Sequence, residues 1–229
     1  MHATVVLFPG INADAEMVRT LRDVCGLTTV VVRHTATELP RTDLVAIPGG
    51  FSYGDYLRCG AIAKVAPIVH AITAHAKKGG YVLGVCNGFQ ILTEAGLLPG
   101  ALTRNENLLF RCHDVFVKVT AVGPFSPTIG DVWRLPIAHG EGRYQASAEV
   151  LAELEGEGRV ALRYASAKGD VVPEANPNGS ADNIAGIYGG PKKNVLGLMP
   201  HPERMSNALQ GGDDGRRLFD ALVAFTQVV

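Results

Sequence analysis

The chain opens on a short apolar and β-branched run, Thr4 to Phe8, closed by Pro9-Gly10. Such a run without polar alternation reads as a strand buried on both faces, as in a parallel sheet. From Asp14 to Val24, Met17, Leu21 and Val24 recur at helical spacing, and Gly26 is the stop signal. Thr28 to Val32 and Leu44 to Ile47 read as a second and third strand. Ile62, Val65, Ala66, Val69 and Ile72 return to helical spacing. Pro67 lies inside that pattern, so the helix kinks or starts there, and Gly79-Gly80 ends it. An apolar strand from Tyr81 and a helix from Asn87 to Ala95, stopped at Gly96, follow. Alternating strands and helices predict a doubly wound α/β fold, an open, mostly parallel twisted sheet with helices on both faces.

After that helix the pattern changes. Val115, Val117 and Val119 alternate with Phe116, Lys118 and Thr120 within Asp114 to Val122, which suits an antiparallel strand with one wet face. Trp133 to His139 and Val160 to Tyr164 are strand-like, and Ser147 is positioned to cap a helix running to Glu155. Pro173 to Asp182, rich in Pro, Asn, Gly and Ser, predicts an exposed loop. Ile184 to Tyr188 and Val195 to Met199 are short strands, and a helix from about Gly215 puts Leu218, Leu222 and Phe225 on its inner face. A smaller antiparallel β section is thus expected beside the parallel sheet, with all 229 residues forming one domain.

Bulk properties narrow the function classes. The 47% apolar and 19% charged fractions are globular values, and a net charge of −1 gives no electrostatic case for nucleic acid or an anionic membrane. No apolar run approaches the roughly 20 residues that span a bilayer, and no secretory leader is apparent. Cys25, Cys59, Cys86 and Cys112 show neither CxxC nor Cys/His metal spacing, so no metal site is expected, and the simplest setting is cytoplasmic with free thiols.

The chemistry concentrates in Gly84-Val85-Cys86-Asn87-Gly88. Its shape is that of a nucleophile elbow, a tight strand-to-helix turn with Cys in the nucleophile position. Cys86 is expected to stand exposed at a strand end, where the positive end of a helix favours the reactive thiolate. Taken alone, the pattern also fits a buried structural Cys in a Gly-flanked turn. A second feature is the long loop from Pro48 to Gly60, placed at a strand's carboxyl end, where open α/β sheets bind ligands. Its glycines let backbone N–H groups point into a site, as an oxyanion hole requires, or serve a plain turn.

Seven histidines are candidate bases. His70 and His75 lie on or near the Ile62 helix and are expected to be solvated, and His139 sits in a Gly-rich loop as a second candidate. His201 is best placed: it follows a predicted strand, Pro200 and Pro202 fix the backbone around it, and Glu203 falls on its side of an extended segment. A carboxylate there can hold the imidazole tautomer. Taken alone, His-Pro-Glu reads by default as a helix entry with Glu in the first turn; Cys, glycine loop and strand-end His-x-Glu together favour a Cys86-His201-Glu203 triad.

With those residues in place the chain resembles the class I, or triad, glutamine amidotransferases. The likeness runs through Pro48-Gly49-Gly50, the elbow continued to Phe89-Gln90, and His201-Pro202-Glu203, in that order. Within that family it resembles the small glutaminase subunits of phosphoribosylformylglycinamidine synthases, through Phe8 to Asn12, Gly49 to Ala61, Ala138 to Tyr144 and Asn176 to Ser180. Ile11-Asn12-Ala13-Asp14 departs from the expected Thr-Asn-Cys-Asp, outside the triad.

The resemblance implies glutamine hydrolysis through a glutamyl thioester on Cys86, with His201 as base and acid and Glu203 orienting it. It implies an oxyanion hole from the backbone N–H groups of Gly50 and Asn87, substrate contacts from Gln90 and Phe51, and no cofactor in this chain. ATP and Mg are expected on the partner, since the sequence holds no P-loop GxxxxGK[ST]. The implied partners are a large synthetase subunit and a small accessory subunit. The Gly54 to Ala61 loop and Arg143-Tyr144 are candidate docking surfaces, with packing on the chain itself as the alternative. A free-standing Cys hydrolase of the same elbow architecture, a peptidase or γ-glutamyl hydrolase, is the competing reading.

Overall fold

The structure is a computed structural model that describes residues 1–56 and 58–228; Leu57, within the long glycine-rich loop, and Val229 lie outside the described residues. The chain begins with β1 (His2–Leu7) and α1 (Asp14–Arg19), the latter extended by a π-helical turn over Thr20–Val24. It continues through β2 (Thr28–Arg33), β3 (Leu44–Ile47), α2 (Pro67–Lys77), β4 (Tyr81–Val85) and α3 (Asn87–Glu94). Pro67 stands at the first position of α2, so the proline starts this helix rather than kinking it. The second half supplies β5 (Ala101–Thr103), β6 (Arg111–Val119), β7 (Val132–His139), β8 (Arg143–Gln145), α4 (Ala148–Gly156), β9 (Val160–Ala165), β10 (Ile184–Gly189), β11 (Val195–Leu198) and α5 (Arg216–Val228).

Nine strands form one mixed sheet in the order β2-β1-β3-β4-β11-β10-β9-β6-β7, and β5 pairs with β8 in a separate antiparallel ribbon. The first five strands of that order are parallel neighbours, and every pairing beyond β11 is antiparallel. The expected antiparallel section is therefore mostly a continuation of the parallel sheet. Val115, Val117 and Val119 on β6 are buried as their alternation requires, while β3 is buried at all four positions, the mark of a central parallel strand. Each large aliphatic side chain so buried contributes roughly 1.5–3 kcal/mol relative to exposure.

Several expectations are corrected. The 173–182 segment is exposed only at its ends: Pro173, Glu174 and Asp182 are exposed, but Asn178 and Ser180 are buried, and Asn176 Oδ1 accepts from the Gly179 N–H at 2.9 Å. Its polar composition serves internal hydrogen bonds instead of solvent. On α5, Leu218 and Leu222 are buried but Phe225 remains 42% exposed, its place on the inner face taken by Phe219. His75 is half-buried rather than solvated, with Nε2 3.3 Å from the Tyr81 carbonyl, and burial lowers its pKa. Tyr144 is fully buried, stacks on Phe89 and donates to the Pro99 carbonyl, so its role is packing and not docking.

Candidate active site

The site forms where the parallel strands end. Residue Cys86 caps α3 with φ 52° and ψ −106°, a conformation that L-residues rarely adopt. Such backbone strain costs on the order of 1–3 kcal/mol and persists only where the surroundings enforce it. The enforcement is visible. The Cys86 N–H donates to the Leu198 carbonyl at 2.8 Å, tying the elbow to β11, and a Cβ at Gly88 would strike the Ile47 carbonyl oxygen at the end of β3. Contrary to expectation, Cys86 is only 5% exposed. It lies at the wall shared by two small cavities, and the long loop and the end of β7 cover it.

That cover comes from a strand far away in the sheet. β7 is the last strand of the order, yet its Pro136 carbonyl accepts from the His201 N–H at 2.8 Å and its Ala138 carbonyl lies 3.8 Å from Cys86 Sγ. The antiparallel half thus turns back over the carboxyl ends of the parallel half. Proline is tolerated at residue 136 because β7 is an edge strand.

His201 follows β11, the immediate parallel neighbour of β4, and so reaches the end of the sheet that carries Cys86. His201 Nδ1 lies 2.6 Å from Glu203 Oε1, and both residues are buried. The segment is not extended: Pro202–Arg204 forms a 3-10 turn, and this turn folds the carboxylate back onto the ring. His201 Nε2 is buried and has no hydrogen-bond partner among the described residues. An unmade hydrogen bond between a base and its nucleophile is common before substrate binds. Burial of the ring opposes its charge, but Glu203 and Cys86 outweigh that and raise the His201 pKa to about 10.

The loop residue Gly50 pairs with Ile11 in an antiparallel bridge. The bonds of that bridge, Asn12 N–H to the Gly49 carbonyl and Phe51 N–H to the Gly10 carbonyl, leave the Gly50 N–H outside the pairing. Asn87 is the first residue of α3, where a backbone N–H has no acceptor within its helix. The Asn87 side chain binds the loop to the elbow: its Oδ1 accepts from the Ser52 N–H at 3.1 Å and its Nδ2 donates to Gln90 Oε1 at 2.8 Å. Gln90 Nε2 in turn donates to the Glu141 carbonyl at 2.6 Å. Gln90 lines the cavity with both amide ends already engaged in clamping three segments. Phe51 lines both cavities and is partly exposed at their mouth.

His139 ends strand β7 instead of sitting in a loop, and it lines the cavity that Gln90 also lines. Burial, with the charge of His201, lowers its pKa to about 3, so the ring is neutral at physiological pH. Its role was not legible from spacing. Asp55, Cys59 and Glu141 line the same cavity, of about 120 Å³, and sequence reasoning assigned none of the three a role there. The only available signal was the length of the loop that carries Asp55 and Cys59.

Comparison with known proteins identifies the family. A family model for the CobB/CobQ-like glutamine amidotransferase domain matches residues 1–217. The phosphoribosylformylglycinamidine synthase subunit PurQ of Bradyrhizobium diazoefficiens is 55% identical over 97% of each chain. A chain in the structure of PurLQS from Thermotoga maritima superposes with a TM-score of 0.86 at 38% identity, covering 98% of both chains. Another glutamine amidotransferase from Thermotoga maritima, 18% identical, shares the fold with a TM-score of 0.59 over 99% of this chain and 84% of its own. The chain belongs to the CobB/CobQ-like glutamine amidotransferases and, among them, to the PurQ group.

Proposed function

We propose that the chain is the glutaminase subunit of a phosphoribosylformylglycinamidine synthase, the ATP-dependent enzyme of purine synthesis that converts formylglycinamide ribonucleotide to its amidine. The observation that carries the reading is the buried His201–Glu203 pair at 2.6 Å, whose free Nε2 serves a Cys held on a strained elbow. PurQ relatives at 52% to 55% identity, and a neighbour taken from a PurLQS assembly, support both the activity and the partnership.

In this reading Cys86 Sγ, its proton passed to His201 Nε2, attacks the side-chain amide carbon of glutamine. The oxyanion that forms is met by the N–H groups of Gly50 and Asn87; losing one such donor typically costs about 10² to 10³ in rate. His201 returns the proton to the amide nitrogen, the C–N bond breaks, and ammonia leaves a glutamyl thioester. Water, deprotonated by His201, attacks that thioester; the C–S bond breaks, glutamate departs and the thiol is restored. Glu203 holds the Nδ1 proton throughout. Ammonia is a nucleophile only when unprotonated, so it passes to the large synthetase subunit, which carries ATP and Mg, within an assembly completed by the small accessory subunit. A cytoplasmic setting suits the four free thiols.

Cys86→Ala in the assembled complex is expected to abolish amidine formation from glutamine while retaining it from ammonium salts. Glutamine-dependent turnover surviving in that variant would remove Cys86 from the nucleophile's role. A free-standing hydrolase would instead show full activity without partners.

A further inference from the structure

Two histidines flank Cys86, and the triad uses one of them. His201 lines one of the two cavities that meet at Cys86, and His139 lines the other. The Nε2 atom of each ring is buried and has no hydrogen-bond partner among the described residues. Nδ1 of His201 is taken by Glu203 at 2.6 Å, and Nδ1 of His139 by Asn105 Oδ1 at 3.1 Å. Each neutral ring therefore presents a lone pair at Nε2. Burial first, and then the charge of His201, lower the His139 pKa to about 3. The two rings are thus within electrostatic reach, and His139 remains an acceptor while His201 carries a proton.

The His139 ring is held in place from several sides. Asn105 Nδ2 donates to the carbonyl of His139 at 2.9 Å, and Asn105 Oδ1 also accepts from the Gly142 N–H at 3.1 Å. A Cβ added at Gly142 would strike the imidazole. The preceding carbonyl, of Ala138, lies 3.8 Å from Cys86 Sγ, so the ring starts one residue from the sulfur. Asp55 Oδ1 is a second unpartnered acceptor in the same cavity, but no hydrogen bond among the described residues joins Asp55 to Cys86 or its neighbours. Buried polar groups are satisfied in native states, so an acceptor left open beside the nucleophile calls for a donor that arrives during the reaction.

We infer that His139 Nε2 accepts one hydrogen of the water that cleaves the glutamyl thioester, and so aims the water's lone pair at the carbonyl carbon. The inference rests on the reading of Cys86 as the glutamine-cleaving nucleophile. Once ammonia has left, a water takes its place beside Cys86. A buried water requires at least two polar partners, and Nε2 of His201 and Nε2 of His139 match its two hydrogens. The water oxygen bonds to the carbonyl carbon as one proton passes to His201 Nε2. The C–S bond breaks, and His201 returns that proton to the sulfur. The hydrogen that faces His139 stays on the oxygen and departs with the new carboxyl group. Acylation involves no water, so His139 acts only in the second half of the cycle.

The division of the effect between kcat and KM in the assembled complex is the test. The ratio kcat/KM reports the steps up to ammonia release, whereas kcat includes thioester hydrolysis. His139→Leu is expected to lower kcat about 10²-fold and KM in step, with kcat/KM retained. The glutamyl adduct on Cys86 is then expected to accumulate, as mass spectrometry of acid-quenched samples shows. Hydroxylamine, which attacks thioesters directly, is expected to restore turnover as glutamyl hydroxamate. His139→Gln keeps an acceptor near the place of Nε2 and is expected to show the same pattern at about tenfold. A raised KM with kcat retained would make His139 a substrate-binding residue, and equal falls in kcat and kcat/KM would assign it to acylation or packing; either overturns the inference. Unchanged constants in His139→Leu overturn it too. If that variant fails to assemble, His139→Gln decides by the same outcomes. A wild-type complex that forms no glutamate from glutamine would instead refute the glutaminase reading itself.

Discussion

The Asn105 carboxamide fixes the His139 imidazole in a single tautomer. Asn105 Nδ2 donates to the carbonyls of Leu109 and His139, at 2.8 and 2.9 Å, so its Oδ1 must be the acceptor that faces His139 Nδ1. Carbonyls cannot donate, which removes the flipped amide as an alternative. Nδ1 therefore carries the proton and Nε2 the lone pair.

A neutral buried histidine has a cost that depends on pH. The pKa of His139 falls from 6.5 to about 3 in the folded chain, chiefly through burial. As pH drops through 6.5 the unfolded chain takes up a proton that the folded chain refuses. Stability attributable to this residue is therefore lost between about pH 6.5 and 3, at up to about 1.4 kcal/mol per pH unit. His139→Gln is expected to remove one proton from that dependence. Urea unfolding of wild type and variant between pH 7 and 5 measures it, and parallel curves would show that His139 titrates normally in the folded chain.

The sequence carried the parallel half of the fold almost intact, and it singled out Cys86, His201 and Glu203, which the structure brings to one end of the sheet, because both are written in local pattern. Strand β3 was legible as a four-residue apolar run, and the elbow as two glycines around Cys86. The missing part was the path of β7, which crosses from the far edge of the sheet to lay Pro136, Ala138 and His139 over the site. No local periodicity encodes that return, since it arises from accumulated sheet twist and coiling. The burial of Cys86 was missed for the same reason. At Pro202 the helix-entry alternative is the one nearer the structure: His-x-Glu gives a same-side reading for a strand, but the proline starts a 3-10 turn that brings the two side chains together by another route.

Glu203 acts on His201 through charge as well as orientation. Burial alone would hold His201 neutral, and Glu203 is the foremost of the groups that raise its pKa to about 10. The raised value means that charge-linked stability is present below about pH 6.5 and is lost as pH rises toward 10. Under the proposed mechanism catalysis follows the same window, because there His201 must be protonated to expel ammonia. Glu203→Gln keeps the shape but removes the charge. Its glutamine-dependent kcat/KM is expected to fall on the order of 10²-fold or more, with the alkaline limb moved to lower pH. The pH–rate profile of the assembled complex reads both effects, and an unmoved alkaline limb would assign that limb to another group.

Gly49 shows how little room separates His201 from Cys86. A Cβ built there would lie 2.6 Å from His201 Cε1 and 3.3 Å from Cys86 Cβ. The Gly49 backbone lies outside the left-handed region, so alanine is compatible with its conformation and the conflict is with the triad alone. Gly49→Ala must push the imidazole off its approach to sulfur, and a displacement near 1 Å can cost about 10²-fold in rate. Gly96 is the useful contrast, with φ 72° and nothing within 4 Å of an added Cβ. Gly96→Ala is expected to lower stability by about 1–2 kcal/mol through backbone strain while glutamine turnover is retained. Thermal unfolding and glutaminase assays on the two variants separate the effects. Gly49→Ala turning over glutamine at the wild-type rate would show that His201 has space which the structure denies it.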